Sequence, residues 1–103
     1  MSSVVIEYVY QANPGADMAA LVALTKEATD LWKKHGAKVS LWAVQVGEIG
    51  NMTFRAQFDS SAKLGATLDA LNSDAAFNAW RTKSTQSGLA RWVRSNQSYE
   101  IPI

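Results

Sequence analysis

Two short stretches of this chain, Val4 to Tyr10 (VVIEYVY) and Met52 to Phe58 (MTFRAQF), alternate so that every second residue shares a face. Such stretches form β-strands, and each has one wholly apolar face and one face interrupted by polar groups. On the first, Val4, Ile6, Tyr8 and Tyr10 point one way and Val5, Glu7 and Val9 the other. On the second, Met52, Phe54, Ala56 and Phe58 oppose Thr53, Arg55 and Gln57. An apolar strand face must be covered by another layer, so a sheet packed on helices is expected, with the mixed faces turned away from them.

The stretches between supply that layer. Ala12 to Gly15 breaks the first strand, and Asp17 can cap a helix whose apolar positions Met18, Leu21, Leu24, Ala28, Leu31 and Trp32 recur three or four apart. Lys33, Lys34 and His35 place cations at the negative end of that helix, and Gly36 suits its left-handed exit. Lys38 to Val46 is expected as a strand, with Val39, Leu41 and Ala43 towards the helices and Ser40, Trp42, Val44 and Val46 away from them. Residues 47–51 then turn it into a hairpin with the Met52 strand. Asp59 to Ser61 can cap a second helix carrying Leu64, Leu68 and Leu71, which is interrupted at Asn72 to Asp74 before a further helical stretch with Phe77 and Trp80. After the loop at Gln86 to Gly88, part of Ala90 to Ile101 returns as a last strand.

Two strand–helix–strand halves joined by a hairpin predict the α+β, ferredoxin-like βαββαβ arrangement: one domain over residues 1–103, with an antiparallel four-stranded sheet in the order 4-1-3-2 and helices on one face. Ten basic and nine acidic residues leave a net charge of +1, which gives little long-range attraction to nucleic acid. The absence of cysteine removes disulfides and thiolate metal sites, and a single histidine removes a histidine cluster, so no metal is expected. The N-terminal residues lack the pattern of a secretory signal and no run approaches the roughly 20 apolar residues of a membrane span. A cytoplasmic protein that engages no membrane is the expectation.

Glu7 and Arg55 fall on the same mixed face of neighbouring central strands, within reach of a charge-assisted pair. With Val9, Trp42, Val44 and Gln57 around them they form the candidate pocket. Glu7 is the candidate base there, Arg55 the group that holds developing negative charge, and Trp42 a flat wall. A structural ion pair in an interface between copies is the plainer reading of the same two residues. For His35 the simplest reading is a helix C-terminal cap, with a catalytic role left open.

The order of Leu31-Trp32-Lys33-Lys34-His35-Gly36-Ala37, Leu41-Trp42, the Val46 to Asn51 turn, and Leu71-Asn72-Ser73-Asp74 leading to Phe77 and Trp80 resembles the NIPSNAP-type branch of the dimeric α/β-barrel superfamily. The resemblance implies a homodimer in which two sheets face each other, with ligands held between sheet and helices or inside the barrel. It also implies a cofactor-free monooxygenase, isomerase or cyclase acting on a planar or carbonyl-bearing metabolite as one possible activity. Haem-degrading relatives draw an iron ligand from a histidine in the second helical region, and this chain has none between Asp59 and Ser87. The alternative function is a non-catalytic module that associates with itself or a protein partner.

Overall fold

In the computed structural model, residues 3–103 are described, and Met1 and Ser2, part of the N-terminal stretch considered above, lie outside them. Strand β1 (Val4–Ala12) is hydrogen-bonded on both sides. Helix α1 (Met18–Lys34), strands β2 (Lys38–Ala43) and β3 (Asn51–Phe58), helices α2 (Ser61–Asn72) and α3 (Ala75–Ser87) and strand β4 (Ala90–Tyr99) follow. The sheet order is β2-β3-β1-β4 with every neighbour antiparallel, which is the expected 4-1-3-2 read from the other edge.

Register confirms the division of faces. Ile6 stands opposite Ala56 and Tyr8 opposite Phe54, whereas Glu7 stands opposite Arg55 on β3 and Asn96 on β4. The helices cover the face of Val4, Ile6, Phe54, Ala56 and Phe58, which join Ala28 and Trp32 of α1, Leu64 and Leu71 of α2 and Phe77 of α3 in one core. Phe54 and Phe58 are therefore buried against the helices. Each helix starts on a side-chain cap: Asp17 accepts from the Ala20 amide, Ser60 from Lys63 and Asp74 from Ala76. At the end of α1, His35 is the C-cap and Gly36 takes φ 95°, a conformation glycine adopts without the Cβ clash of other residues.

Two features differ from the sequence expectation. β2 ends at Ala43 and not at Val46. Gly47 and Gly50 both turn at φ 94°, and the Glu48 carboxylate accepts from the Asn51 side-chain Nδ2 and from Arg94, so residues 44–50 leave the ladder as an anchored loop. Val44 therefore lies beyond the strand, although its amide still donates to the Asn51 carbonyl at 3.0 Å. β4 carries a bulge: Arg94 faces Val9 but Trp92 faces Tyr10, which leaves Val93 as the extra residue and brings Trp92 to the helix side. Among the described residues no helix is long and apolar enough to cross a membrane.

Leu71 is 1% exposed and fills the junction of α2 with the core. Leu71→Ala should cost about 2–5 kcal/mol, the range for a buried leucine whose site cannot fully collapse. Urea unfolding of both proteins at one fixed concentration checks this; a loss below about 1 kcal/mol would mean that the α2 contact is not tightly packed.

Candidate functional site

A cleft of about 370 Å³ lies between the sheet and the helix layer, at the end where α1 and α3 meet β1 and the start of β4. Alternation on β1 supplies Tyr8 and Tyr10 to its floor, and the β4 bulge adds Trp92. The α1 wall comes from Leu21, Leu24, Thr25, Ala28 and Trp32, residues repeating at helical spacing, and the α3 wall from Phe77, Trp80, Arg81 and Ser84. The walls are joined above the sheet by the Trp80 indole N–H, which donates to the Leu24 carbonyl at 2.9 Å, and by Lys83 on the Glu27 carboxylate at 2.9 and 3.1 Å. Inside, Trp32 meets Tyr8, Phe54 and Phe77 edge to face, while Phe77 and Trp80 stack at 5.7 Å.

The polar groups of this apolar cleft are few. Thr25 Oγ1 donates to the Leu21 carbonyl at 2.9 Å, so its 3.1 Å contact with Tyr10 has the phenol as donor. Burial pushes both the Tyr8 and the Tyr10 phenol above the ordinary tyrosine range, opposed at Tyr8 by the positive charge of Arg81. Arg81 lies 4.9 Å over the Phe77 ring and donates to the Asn72 side-chain carbonyl at 3.0 Å. Arg91 donates to the Gln11 side-chain carbonyl on the opposite face of the sheet, that of Glu7 and Val9. No aspartate or glutamate lines the cleft. Such an arrangement can hold a flat apolar body and present donors to an oxygen at its mouth.

The start of α3, and with it the far wall, is fixed by Asp74. Its carboxylate accepts from His35 Nε2 at 2.8 Å and Lys34 Nζ at 3.0 Å, as well as capping the helix. Those bonds, led by His35, hold its pKa well below the usual carboxylate range. His35 also accepts from Thr67 through its backbone carbonyl, so the end of α1 is tied to both later helices. The expected cap role of His35 is thus observed, and its acidic partner was not legible from sequence because Asp74 lies 39 residues away.

The residues singled out in the sequence are placed differently from one another. Glu7 and Arg55 are register partners on the open face, yet the ion pairs among the described residues do not include them. Arg55 Nε is buried without a hydrogen-bond partner. Arg94 lies nearer the charge balance of this face, since it bonds Glu48 at 2.6 Å and holds that carboxyl below its usual range. Trp42 stands on the open face opposite Thr53, half exposed, with its indole N–H on Ser40 Oγ at 2.8 Å. Arg55 and Gln57, with Val5, line a second hollow of about 290 Å³; Glu7, Trp42, Val44 and Val9 do not. Val9 is buried beside Thr53. No cluster able to hold a metal ion occurs among the described residues.

The architecture is a ferredoxin-like fold, and solved structures share it across almost the whole chain. An uncharacterised NIPSNAP domain protein from Burkholderia xenovorans superposes with a TM-score of 0.73 at 15% identity, covering 97% of this chain and 94% of its own. A NIPSNAP family protein from Agrobacterium tumefaciens gives 0.73 at 14% identity, covering 98% and 93%. A candidate antibiotic biosynthesis monooxygenase from Chloroflexus aurantiacus gives 0.66 at 14% identity, covering 97% and 94%. At these identities the likeness is one of fold. No protein-family model matches the chain. A curated protein, the baseplate tail-tube junction protein gp48 of Enterobacteria phage T4, is 34% identical over 85 residues, a match spanning 75% of this chain and 23% of gp48.

Asp74→Asn should destabilise the protein at neutral pH, because the amide keeps an acceptor for the cap but loses the charge that His35 and Lys34 meet. A depressed carboxylate pKa contributes stability above the ordinary value near 3.8, and that contribution is lost as pH falls through the lower folded value. The stability gap between the two proteins should therefore be largest near neutrality and shrink as pH falls below about 4. Thermal unfolding across pH checks this; a gap independent of pH would assign Asp74 to capping alone.

Proposed function

We propose that this chain is a homodimeric small-molecule-binding protein whose ligand enters the cleft between sheet and helices. The observation that carries the reading is the cleft itself: about 370 Å³, within the roughly 300–1,000 Å³ of small-molecule sites, walled by aromatic rings with a few convergent donors. The homodimer is supported by the uncovered sheet face, by the unpartnered Arg55 Nε there, and by a fold shared with NIPSNAP-family proteins. In that dimer Glu7, Trp42, Arg55 and Gln57 meet the partner's sheet. A chamber closed in this way would let Glu7 take a proton and Arg55 hold enolate-like charge, chemistry that needs no cofactor.

A second reading, a non-catalytic association module, is favoured by the likeness to gp48, a junction protein by name. Under it the open face exists to pair, and the Glu7→Leu, Arg55→Met double variant should associate at least as tightly as the parent in sedimentation.

The four indole N–H signals separate the sites, since Trp32, Trp80 and Trp92 line the cleft and Trp42 does not. Titration with the neutral probe 2-naphthamide, followed by nitrogen-15 correlation spectra assigned with Trp→Phe variants, should shift the Trp80 and Trp92 signals and leave Trp42 in place. Shifts confined to Trp42 would move the site to the open face. No shift from this or other planar probes would leave the association module as the better account.

A further inference from the structure

We propose that the cleft selects planar aromatic carboxylates, with the ring held between α1, α3 and the sheet and the carboxylate at the mouth on Arg81. The inference rests on the reading of the cleft as a ligand site and adds the class of ligand. Its first support is the distribution of charge. Of the basic residues gathered towards the C-terminus, Lys83 is neutralised by Glu27 and Arg94 by Glu48. Arg81, which lines the cleft, is instead tethered to the neutral side-chain carbonyl of Asn72. A neutral tether fixes a guanidinium while leaving its charge uncompensated, and the fork retains further N–H groups that match the two oxygens of a carboxylate. Arg91 pairs with Gln11 on the face of Glu7 and Val9, so its guanidinium lies across the sheet from the cleft.

The second support is shape. Tyr8, Trp32, Phe54, Phe77, Trp80 and Trp92 surround the interior, and a flat ring entering among them gains edge and face contacts that a flexible chain does not. The Tyr8 hydroxyl has no hydrogen-bond partner among the described residues, while burial keeps it protonated, so it can donate to an oxygen carried inwards on the ring. An acidic ligand meets no opposing carboxylate on any wall.

Calorimetric titration of the intact protein compares 2-naphthoate, 2-naphthamide and octanoate. The carboxylate should bind about tenfold or more tightly than the amide of the same shape, the effect of a charged hydrogen bond at a partly wet site. Octanoate should bind more weakly than naphthoate. Arg81→Gln should reduce the preference for carboxylate over amide towards unity, Arg81→Lys should retain part of it and so guard against a folding defect, and Arg91→Gln, on the opposite face of the sheet, should leave it unchanged; equal loss in Arg81→Gln and Arg91→Gln would overturn the assignment to Arg81. Equal binding of naphthoate and naphthamide would overturn the charge selection while leaving the cleft as a ligand site. Octanoate equal to naphthoate would overturn the aromatic selection, and failure of all three would overturn the cleft reading itself.

Discussion

Trp32 ties the layers of this molecule together. Its ring is 4% exposed and meets Tyr8 of β1 at 5.8 Å, Phe54 of β3 at 5.6 Å and Phe77 of α3 at 6.5 Å, all near edge to face. One side chain thereby couples the two central strands to two helices. Burying a tryptophan removes some 150–250 Å² from water, and its geometry constrains its neighbours as well as adding to the core. The same ring forms the inner end of the cleft, so the shape of the candidate site and the integrity of the core depend on one residue.

The fold was legible in the sequence where periodicity and caps agreed. Alternation on Val4 to Tyr10 and Met52 to Phe58 assigned each face correctly, because a strand's side-chain period leaves no freedom once one face must be buried. Asp17, Ser60 and Asp74 all stand where a short polar side chain precedes a helical pattern, and all three are observed as caps. What escaped was set by contacts distant in sequence. Val44 to Val46 are as β-prone as their neighbours, but Glu48 is held by Arg94, 46 residues away, and the chain departs from the ladder. A bulge at Val93 has no residue signature, and it alone decides that Trp92 joins the helix side.

The site was less legible for a related reason. Polar residues inside a strand are conspicuous, so Glu7 and Arg55 drew attention to the open face, and their register was read correctly. Register brings Cα atoms together without obliging the charges to meet, and the longer arginine side chain finds other surroundings. A cleft is a deficit of volume, which no single element records. It arises here because small residues such as Ala28 stand opposite β1 while Phe77 and Trp80 stack on each other. Arg81 was visible only as part of a loose basic cluster; which of its members kept an uncompensated charge at the cleft depended on partners at Glu27, Glu48 and Asn72.

The two faces of the sheet thus carry different kinds of unfinished polar business. On the helix side the chain completes its own bonding: Tyr10 reaches Thr25, Trp80 reaches Leu24, and the phenol of Tyr8 opens into space sized for a small molecule. On the open side Arg55 Nε lies buried beneath nothing that accepts from it, a cost of about 1–3 kcal/mol for a neutral group and more for a charged one. A small ligand can relieve the first face without altering the second. The second would be relieved by acceptors delivered on a surface of comparable extent, as the proposed pairing of sheets would supply, because Glu7, Trp42 and Gln57 are spread over three strands. The separation explains why a ligand-binding reading and an association reading need not compete for the same residues: occupancy of the cleft and pairing of the sheets would act on opposite sides of β1, coupled only through the backbone that both faces share.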